Sequence, residues 1–125
     1  MADYTLKRID DMEAGFRGGF KKARAELGVT SFGLQILDFP PDATGHPEHE
    51  HAADGQEEVF AVLRGSGALR VGGEELALTP EVMVRVGPAE TRKIISGPDG
   101  LRLLALGGTP GKVYESKLIS ELTGA

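Results

Sequence analysis

Apolar and polar positions alternate over short stretches through most of the chain, and glycine or proline separates these stretches at intervals of roughly 8 to 12 residues. This rhythm is typical of an all-β sandwich or barrel whose successive strands are mostly antiparallel. The predicted strands are YTLKRI (4–9), VTSFGLQILDF (29–39), EVFAVLRG (58–65), GALRVGG (67–73), EELAL (74–78), VMVRVG (82–87), TRKIIS (91–96) and LRLLALGG (101–108).

Helices and turns are predicted at a few places between and after these strands. KKARAEL (21–27) favours one or two helical turns closed by Gly28. SKLISEL (116–122) carries leucine and isoleucine at helical spacing, so we expect a short amphipathic helix on the outside of the fold. Gly72 and Gly73 predict a two-residue hairpin loop, and GPDG (97–100) predicts a turn.

Two of the predicted strands, VFAVL and LRLLAL, are apolar at both parities. Both faces of these strands should therefore be dry, one against the interior and the other under a cover. The N-terminal strand, the C-terminal helix or a second subunit could supply that cover. We expect a homodimer on this basis.

The composition fits one domain of 125 residues with an N-terminal arm and short helix (1–29), a barrel (30–107) and a C-terminal helical tail (108–125). A formal net charge of −5 without a basic stripe argues against a nucleic-acid partner, and no stretch is apolar enough to predict a membrane partner. The chain has no cysteine, which excludes disulfides and thiolate metal sites and is typical of a cytoplasmic protein.

The three histidines, His46, His49 and His51, lie within six positions of one another. Side chains two apart on a strand project to the same face, so His49 and His51 should point together into the barrel. A carboxylate from the next strand, Glu57 or Glu58, would complete a set of two histidines and one acid. Such ligands suit Fe, Mn, Ni, Zn or Co and leave coordination positions open.

This segment resembles the first sequence motif of the cupin family, and the chain is similar over its barrel region to the small single-domain members of that family, the cupin type-2 conserved-barrel proteins. The motif reads G, five residues, H-x-H, three or four residues, E, six residues, G. Its H-x-H falls on His49 and His51, and the spacing back from Gly65 selects Glu58 as the acid. Two departures are Ala43 at the opening glycine and six residues between the second histidine and the acid.

The second cupin motif should fall on residues 81–96, where its signature letters are all replaced. The replacements are Glu81, Gly87, Ala89, Arg92 and Ser96. The likeness covers about residues 30–107. It implies a double-stranded β-helix (jelly-roll) barrel with a short C-terminal helix, and the family's fourth metal ligand does not carry over to Arg92.

Arg92 bears most directly on the chemistry, because a guanidinium stays charged and cannot ligate a metal. A divalent ion about 5 Å away would be repelled by roughly 6 to 7 kcal/mol at an effective dielectric constant near 20. Arg92 could pair with Glu58 in a metal-free pocket, or turn to the mouth and hold an anionic substrate group. A register shifted by one residue would place Lys93 inside instead.

Three further residues are candidates for roles at the pocket. His46 could be re-aimed by Pro47 to become an additional ligand, although it has the wrong parity on a regular strand. Phe60 and Met83 could line a ligand cavity beside Arg92.

The sequence therefore predicts a small cupin that binds a small molecule in its barrel, with one divalent metal at His49, His51 and Glu58 as an open question. One alternative, which the resemblance implies for many cupins, is a metal-dependent oxygenase or isomerase. Another is a metal-free structural or binding module built on a Glu58–Arg92 pair.

Overall fold

Seven strands and three short helical segments make up the regular structure of the computed structural model, which describes residues 2–124. The strands are β1 (Ala14–Gly15), β2 (Phe20–Lys21), β3 (Gly33–Phe39), β4 (Glu57–Val71), β5 (Glu74–Leu78), β6 (Met83–Val86) and β7 (Arg92–Gly108). One α-helix, α1, spans Ala23–Leu27, and 3-10 turns span Ile9–Asp11 and Leu118–Ser120. Gly28 closes α1 in the left-handed conformation, as the sequence predicts.

The strands form one antiparallel sheet in the order β1-β2-β3-β7-β4-β5, with β6 paired to β4 as well. The first half of β4 pairs with the second half of β7, and the second half of β4 with the first half of β7. Register shifts at Val62/Arg64 and Gly65/Gly67 separate the two halves. Such bulges bend a strand, so the long strands fold over and the sheet encloses its own interior.

The GPDG segment is a bulge within β7, which corrects the prediction of a turn between two strands. Ser96 pairs with Gly67 and Leu101 pairs with Gly65, so the four residues 97–100 oppose Ser66 alone. β7 continues on both sides because β4 runs alongside it without a break. The close approach of the two strands explains the glycine at 65, where a Cβ atom would lie 2.2 Å from the carbonyl oxygen of Gly100.

The main core lies between the two halves of the folded sheet and is contributed by alternate positions of the long strands. Its buried members are Leu37, Phe60, Val62, Leu69, Leu78, Val86, Ile94, Leu101, Leu103 and Ala105. Both halves of β4 and β7 thus contribute to one interior.

A second, smaller cluster covers the outer face of β3 and β7. Met12, Ala23 and Ile36 are buried in it, and Leu34 and Leu104 pack against it. The cover predicted for the apolar outer face therefore comes in part from the 3-10 turn and α1. The expected strand at residues 4–9 is not present: residues 2–8 are irregular and Leu6 is 86% exposed. Alternation alone cannot form a strand without a neighbour that accepts its hydrogen bonds.

The C-terminal tail is joined to the N-terminal part of the described chain by one ion pair and several hydrogen bonds. Lys22 donates to the Glu13 carboxylate at 2.7 Å and to the carbonyl oxygen of Glu121 at 2.9 Å. Arg24 donates to the Glu121 carboxylate at 2.6 Å. Backbone N–H groups of Thr123 and Gly124 in turn donate to Glu13. The C-terminal tail is thereby held against α1 and the β1–β2 hairpin.

The helix predicted at 116–122 is reduced to one 3-10 turn. Leu118 and Ile119 are exposed, Leu118 with 87% of its surface, so little of the apolar stripe is buried within the described residues. A seven-residue segment without such packing is too short to offset the unfavourable free energy of helix nucleation. None of the helices in the described residues has the length and apolarity needed to cross a membrane. The three-part division of the chain stays a prediction.

Candidate metal centre

The loop that carries the histidines is attached to the start of β7. His49 and Arg92 form an isolated antiparallel bridge, with backbone N–O distances of 3.0 and 2.9 Å. The N–H group of His51 donates to the carbonyl oxygen of Pro88 at 2.7 Å. This short extended segment places both imidazoles on one side, as their spacing predicts.

Glu58 approaches the two imidazoles from the second position of β4. Its Oε1 atom lies 3.6 Å from Nε2 of His49 and 3.4 Å from Nε2 of His51. One ligand atom from each of the three residues lies within 4.8 Å of the others, which is close enough to share one ion. The group His49, His51 and Glu58 could therefore hold a metal ion.

The opposite ring nitrogens are already engaged. Nδ1 of His49 lies 3.2 Å from the carbonyl oxygen of Pro47, and Nδ1 of His51 lies 3.3 Å from Oδ2 of Asp54. Both partners are acceptors, so whenever a ring is neutral its Nδ1 carries the proton and its Nε2 lone pair faces Glu58. Metal-ligating histidines are typically oriented by an outer carbonyl or carboxylate in this way.

In this arrangement the acceptor atoms of His49, His51 and Glu58 face one another, as they would around a bound cation. Nε2 of His51 is buried and has no hydrogen-bond partner within the described residues. Two lone pairs and a carboxylate oxygen converge on one point, and each would gain from a positive charge there. The donor set therefore fits a divalent metal.

A proton competes for the same position. The hydrogen bond to Glu58 raises the pKa of His49 in spite of its partial burial. Burial raises the pKa of Glu58, but the hydrogen bonds from His49 and Arg92 outweigh it and the net shift is downward. Glu58 is thus held ionised, and His49 is the ring that can bind either a proton or a metal.

Arg92 lies behind Glu58, with its side chain 0% exposed. Nη1 donates to Oε1 of Glu58 at 2.5 Å, Nη2 to the carbonyl oxygen of Gly87 at 2.5 Å, and Nε to that of Glu90 at 3.0 Å. The guanidinium does not turn to the mouth, and the register is not shifted, because Lys93 reaches the carbonyl oxygen of His46 instead.

The choice between the two neighbouring glutamates is settled by their opposite faces. Glu58 faces the histidines, whereas Glu57 accepts a hydrogen bond of 2.8 Å from Arg85 on the outer surface. The motif spacing that selects Glu58 therefore agrees with the geometry.

The remaining predicted residues occupy different places. His46 packs edge-on against His49 and Phe39, at ring-centroid distances of 5.7 and 5.5 Å, and lies outside the three-residue ligand group. Burial lowers its pKa. Phe60 shares the inward face with Glu58 and forms part of the packed core. Met83 is 68% exposed on the outer face of β6, so the structure does not bring it to the site.

Two partners of the site were missed by the sequence analysis. Asp54 orients His51 and also accepts from the backbone N–H of Gln56 at 3.0 Å. Its signal is an aspartate three residues after a ligand histidine, in a turn before the strand that carries the acid. The carbonyl oxygen of Gly87 has no signal in the sequence, because any residue could supply it.

Two surface grooves lie away from the ligand group. One, of about 550 Å³, is bordered by Phe16, Arg17, Pro40, Pro41 and Gly100 among others. The other, of about 560 Å³, runs past Glu48, Arg70, Glu74 and Glu90. None of the three ligand residues lines either groove. Of the three, His49 has the most exposed side chain, at 33%.

Comparison with known proteins supports the fold. No family model and no curated protein matches the sequence. A cupin protein from Bacteroides fragilis superposes with a TM-score of 0.72 at 19% identity, over 98% of each chain. A predicted oxalate decarboxylase from Thermotoga maritima gives 0.55 at 20% identity, over 62% of this chain and 66% of that one. KdgF from a Halomonas species gives 0.55 at 15% identity, over 66% and 74%.

The chain has the cupin fold. The antiparallel sheet, the enclosed core and these structural matches confirm the all-β barrel that the resemblance predicts.

Proposed function

We propose that this protein binds a small molecule at a single divalent metal ion held by His49, His51 and Glu58. The observation that carries the proposal is the convergence of both Nε2 atoms on Oε1 of Glu58 while both Nδ1 atoms are engaged elsewhere. Nitrogen and oxygen ligands of this kind suit Fe, Mn, Ni, Zn or Co.

The protein's own residues prepare the ligands for the ion. Pro47 and Asp54 fix the tautomers of the two rings, and Arg92 holds one lone pair of Glu58. A carboxylate has about four acceptor positions on its two oxygens, so Glu58 can accept from Arg92 and still ligate a metal. Three protein ligands leave coordination positions free for a small molecule.

Catalysis is a second candidate function, and the three-ligand site supports it. A metal with free positions can polarise a bound oxygen and orient a substrate, which is the chemistry of oxygenases and isomerases. Two of the structural neighbours are described as a predicted oxalate decarboxylase and as KdgF. Their low identity transfers no substrate to this chain.

A metal-free binding module is the rival candidate, and the Arg92–Glu58 pair supports it. The pair by itself neutralises the carboxylate, and protonation of His49 would supply a further donor to Glu58. In that case the site would be a structural hydrogen-bond network without affinity for metals.

The test is metal binding by the purified full-length protein after treatment with a chelator. Titration calorimetry with Mn²⁺, Co²⁺, Ni²⁺ and Zn²⁺ should give one site per chain. His49→Ala and His51→Ala should each weaken it by more than the roughly 10–100-fold that loss of an outer partner costs. His46→Ala is the matched histidine control and should leave the affinity unchanged. Wild-type protein that takes up no metal would favour the metal-free module.

We also infer a homodimer in the cytoplasm. Several large apolar side chains near the two ends of the described chain are exposed, and a second copy could bury them: Tyr4, Leu6, Val113, Leu118 and Ile119. Light scattering coupled to size-exclusion chromatography tests the oligomeric state, and a monomer at all concentrations would contradict it.

A further inference from the structure

The guanidinium of Arg92 is fixed at the back of the site and cannot touch an incoming molecule. Its side chain is fully buried, and it donates to the Glu58 carboxylate and to the carbonyl oxygens of Gly87 and Glu90. Its charge is permanent, because an arginine does not lose its proton in a protein. Arg92 therefore acts on a bound molecule through its electric field, while its hydrogen bond to Oε1 of Glu58 contacts the site itself.

The charges around the ligand group show what that field does. With metal bound, Glu58 contributes −1 and Arg92 contributes +1, and the two imidazoles, which must be neutral to ligate the ion, contribute none, so these protein groups sum to zero. Asp54 does not change this sum, because Lys117 lies 3.6 Å from its carboxylate. A divalent ion would then leave a charge of +2 in a partly buried place, with Glu58 only 15% exposed.

Lys93 makes the surroundings more positive. Its Nζ donates to the carbonyl oxygen of His46 at 3.3 Å, next to the histidine segment. A net positive charge that is shielded from water is costly unless an anion neutralises it. The free coordination positions are where such an anion would bind.

We infer that the molecule bound at this site is a carboxylate, and that the carboxylate and the metal bind cooperatively because of Arg92. The inference rests on the proposed metal site. Oxygen donors suit the divalent metals named above. Two cations side by side disfavour the metal alone and favour the metal with an anion. Coupling between two ligands is reciprocal, so the carboxylate must strengthen metal binding as much as the metal strengthens carboxylate binding.

The experiment measures the affinity of the wild-type protein for Mn²⁺ by calorimetry at constant ionic strength, with excess acetate or with excess acetamide. The two probes have the same shape and differ in charge. Acetate should raise the Mn²⁺ affinity by about 5-fold or more, within the range usual for coupled sites, and acetamide should not. Binding of Mn²⁺ by acetate in solution is corrected for, and it is identical for all variants.

Arg92→Gln removes the charge and should separate the two contributions. Its affinity for Mn²⁺ without acetate should rise, and the gain from acetate should fall. Arg92→Lys keeps the charge and should keep the gain. Arg85→Gln is the matched control, because Arg85 also pairs with a glutamate, Glu57, but on the outer surface. It should behave as the wild type does.

Each result decides between the proposals. Wild-type protein that binds Mn²⁺ equally well with acetate and acetamide overturns the inference and leaves the metal site standing. An equal gain from acetate in Arg92→Gln and wild type overturns the role of Arg92. Absence of Mn²⁺ binding with either probe overturns the metal site itself. If Arg92→Gln does not fold, Arg92→Met, which removes the charge and keeps most of the side-chain volume, takes its place in the comparison with Arg92→Lys.

Discussion

His49 and Arg92 hydrogen bond to each other in both directions through their main chains. This bridge sets the register between the two segments. It places the proposed ligand His49 beside the buried Arg92, and the Glu58 carboxylate lies between their side chains. The histidine loop and β7 are thus one unit, although 42 positions of sequence separate the two residues.

Removing the charge of Glu58 should destabilise the protein even without metal. Glu58→Gln leaves the buried guanidinium of Arg92 without its anion, which costs about 3 kcal/mol. Glu57→Gln breaks the exposed pair with Arg85 and should cost less than about 1 kcal/mol. Urea denaturation in the presence of a chelator measures both. Equal losses in the two variants would show that the Arg92–Glu58 pair contributes no more than a surface pair.

Ser96 links the histidine loop to the strand behind it. Its hydroxyl group donates to the carbonyl oxygen of Pro40 at 2.6 Å and accepts from the backbone N–H of Ala43 at 2.7 Å. Ser96→Ala leaves both groups without this partner and should cost about 1–3 kcal/mol in the free energy of unfolding. Ser31→Ala, at an exposed position, should change it by less than about 0.5 kcal/mol. A Ser96→Ala protein as stable as wild type would refute this role.

Gly67 is required by the close approach of β4 and β7. A Cβ atom there would lie 2.3 Å from the carbonyl oxygen of Ile95, so Gly67→Ala should lower the free energy of unfolding by about 3 kcal/mol or more. Gly108→Ala is the control, because a Cβ atom at that end of β7 meets nothing within 4 Å. Thermal unfolding followed by circular dichroism compares them. Similar melting temperatures would mean that the strands separate easily at the bulge.

The stability of the fold should depend on pH through Glu13. The hydrogen bond from Lys22 and those from the backbone of Thr123 and Gly124 lower its pKa from 4.5 to about 2. A lowered folded-state pKa means that the unfolded chain binds the proton more readily. The contribution of Glu13 is therefore complete above about pH 4.5 and is lost as the pH falls toward 2.

Glu13→Gln should consequently be less stable than wild type at pH 6, and the difference should narrow between pH 4.5 and 2. Urea denaturation at a series of pH values measures this difference. A gap that stays constant over that range would mean that Glu13 does not titrate differently in the folded protein.

The sequence predicts the structure correctly where it depends on residues close together in the chain. A period of two places His49 and His51 on one side. Parity alone leaves Glu57 and Glu58 open, and the spacing of the cupin motif selects Glu58. The paired glycines at 72 and 73 predict the hairpin between β4 and β5, where both adopt positive φ values. The cupin fold follows from the rhythm of these elements together with the motif spacing.

The sequence fails to predict features that depend on distant partners. GPDG has turn chemistry, yet β4 runs alongside and keeps the strand continuous. The orientation of Arg92 depends on a bridge to the histidine loop, and the sequence pattern alone is compatible with three orientations. YTLKRI alternates like a strand but pairs with no strand within the described residues. In each case the information lies in a contact between segments far apart in sequence.

The C-terminal tail contributes to the stability of the fold although its structure is irregular, because Glu121 binds both Lys22 and Arg24. Cleavage of the tail before Glu121 would remove the carboxylate that pairs with Arg24 and the carbonyl oxygen that binds Lys22, two cations that the fold has withdrawn from water. It would also remove the backbone N–H groups that donate to Glu13. The tail thus holds α1 and the β1–β2 hairpin in place. Proteolytic removal of the tail should therefore loosen the β1–β2 hairpin before it disturbs the group His49, His51 and Glu58.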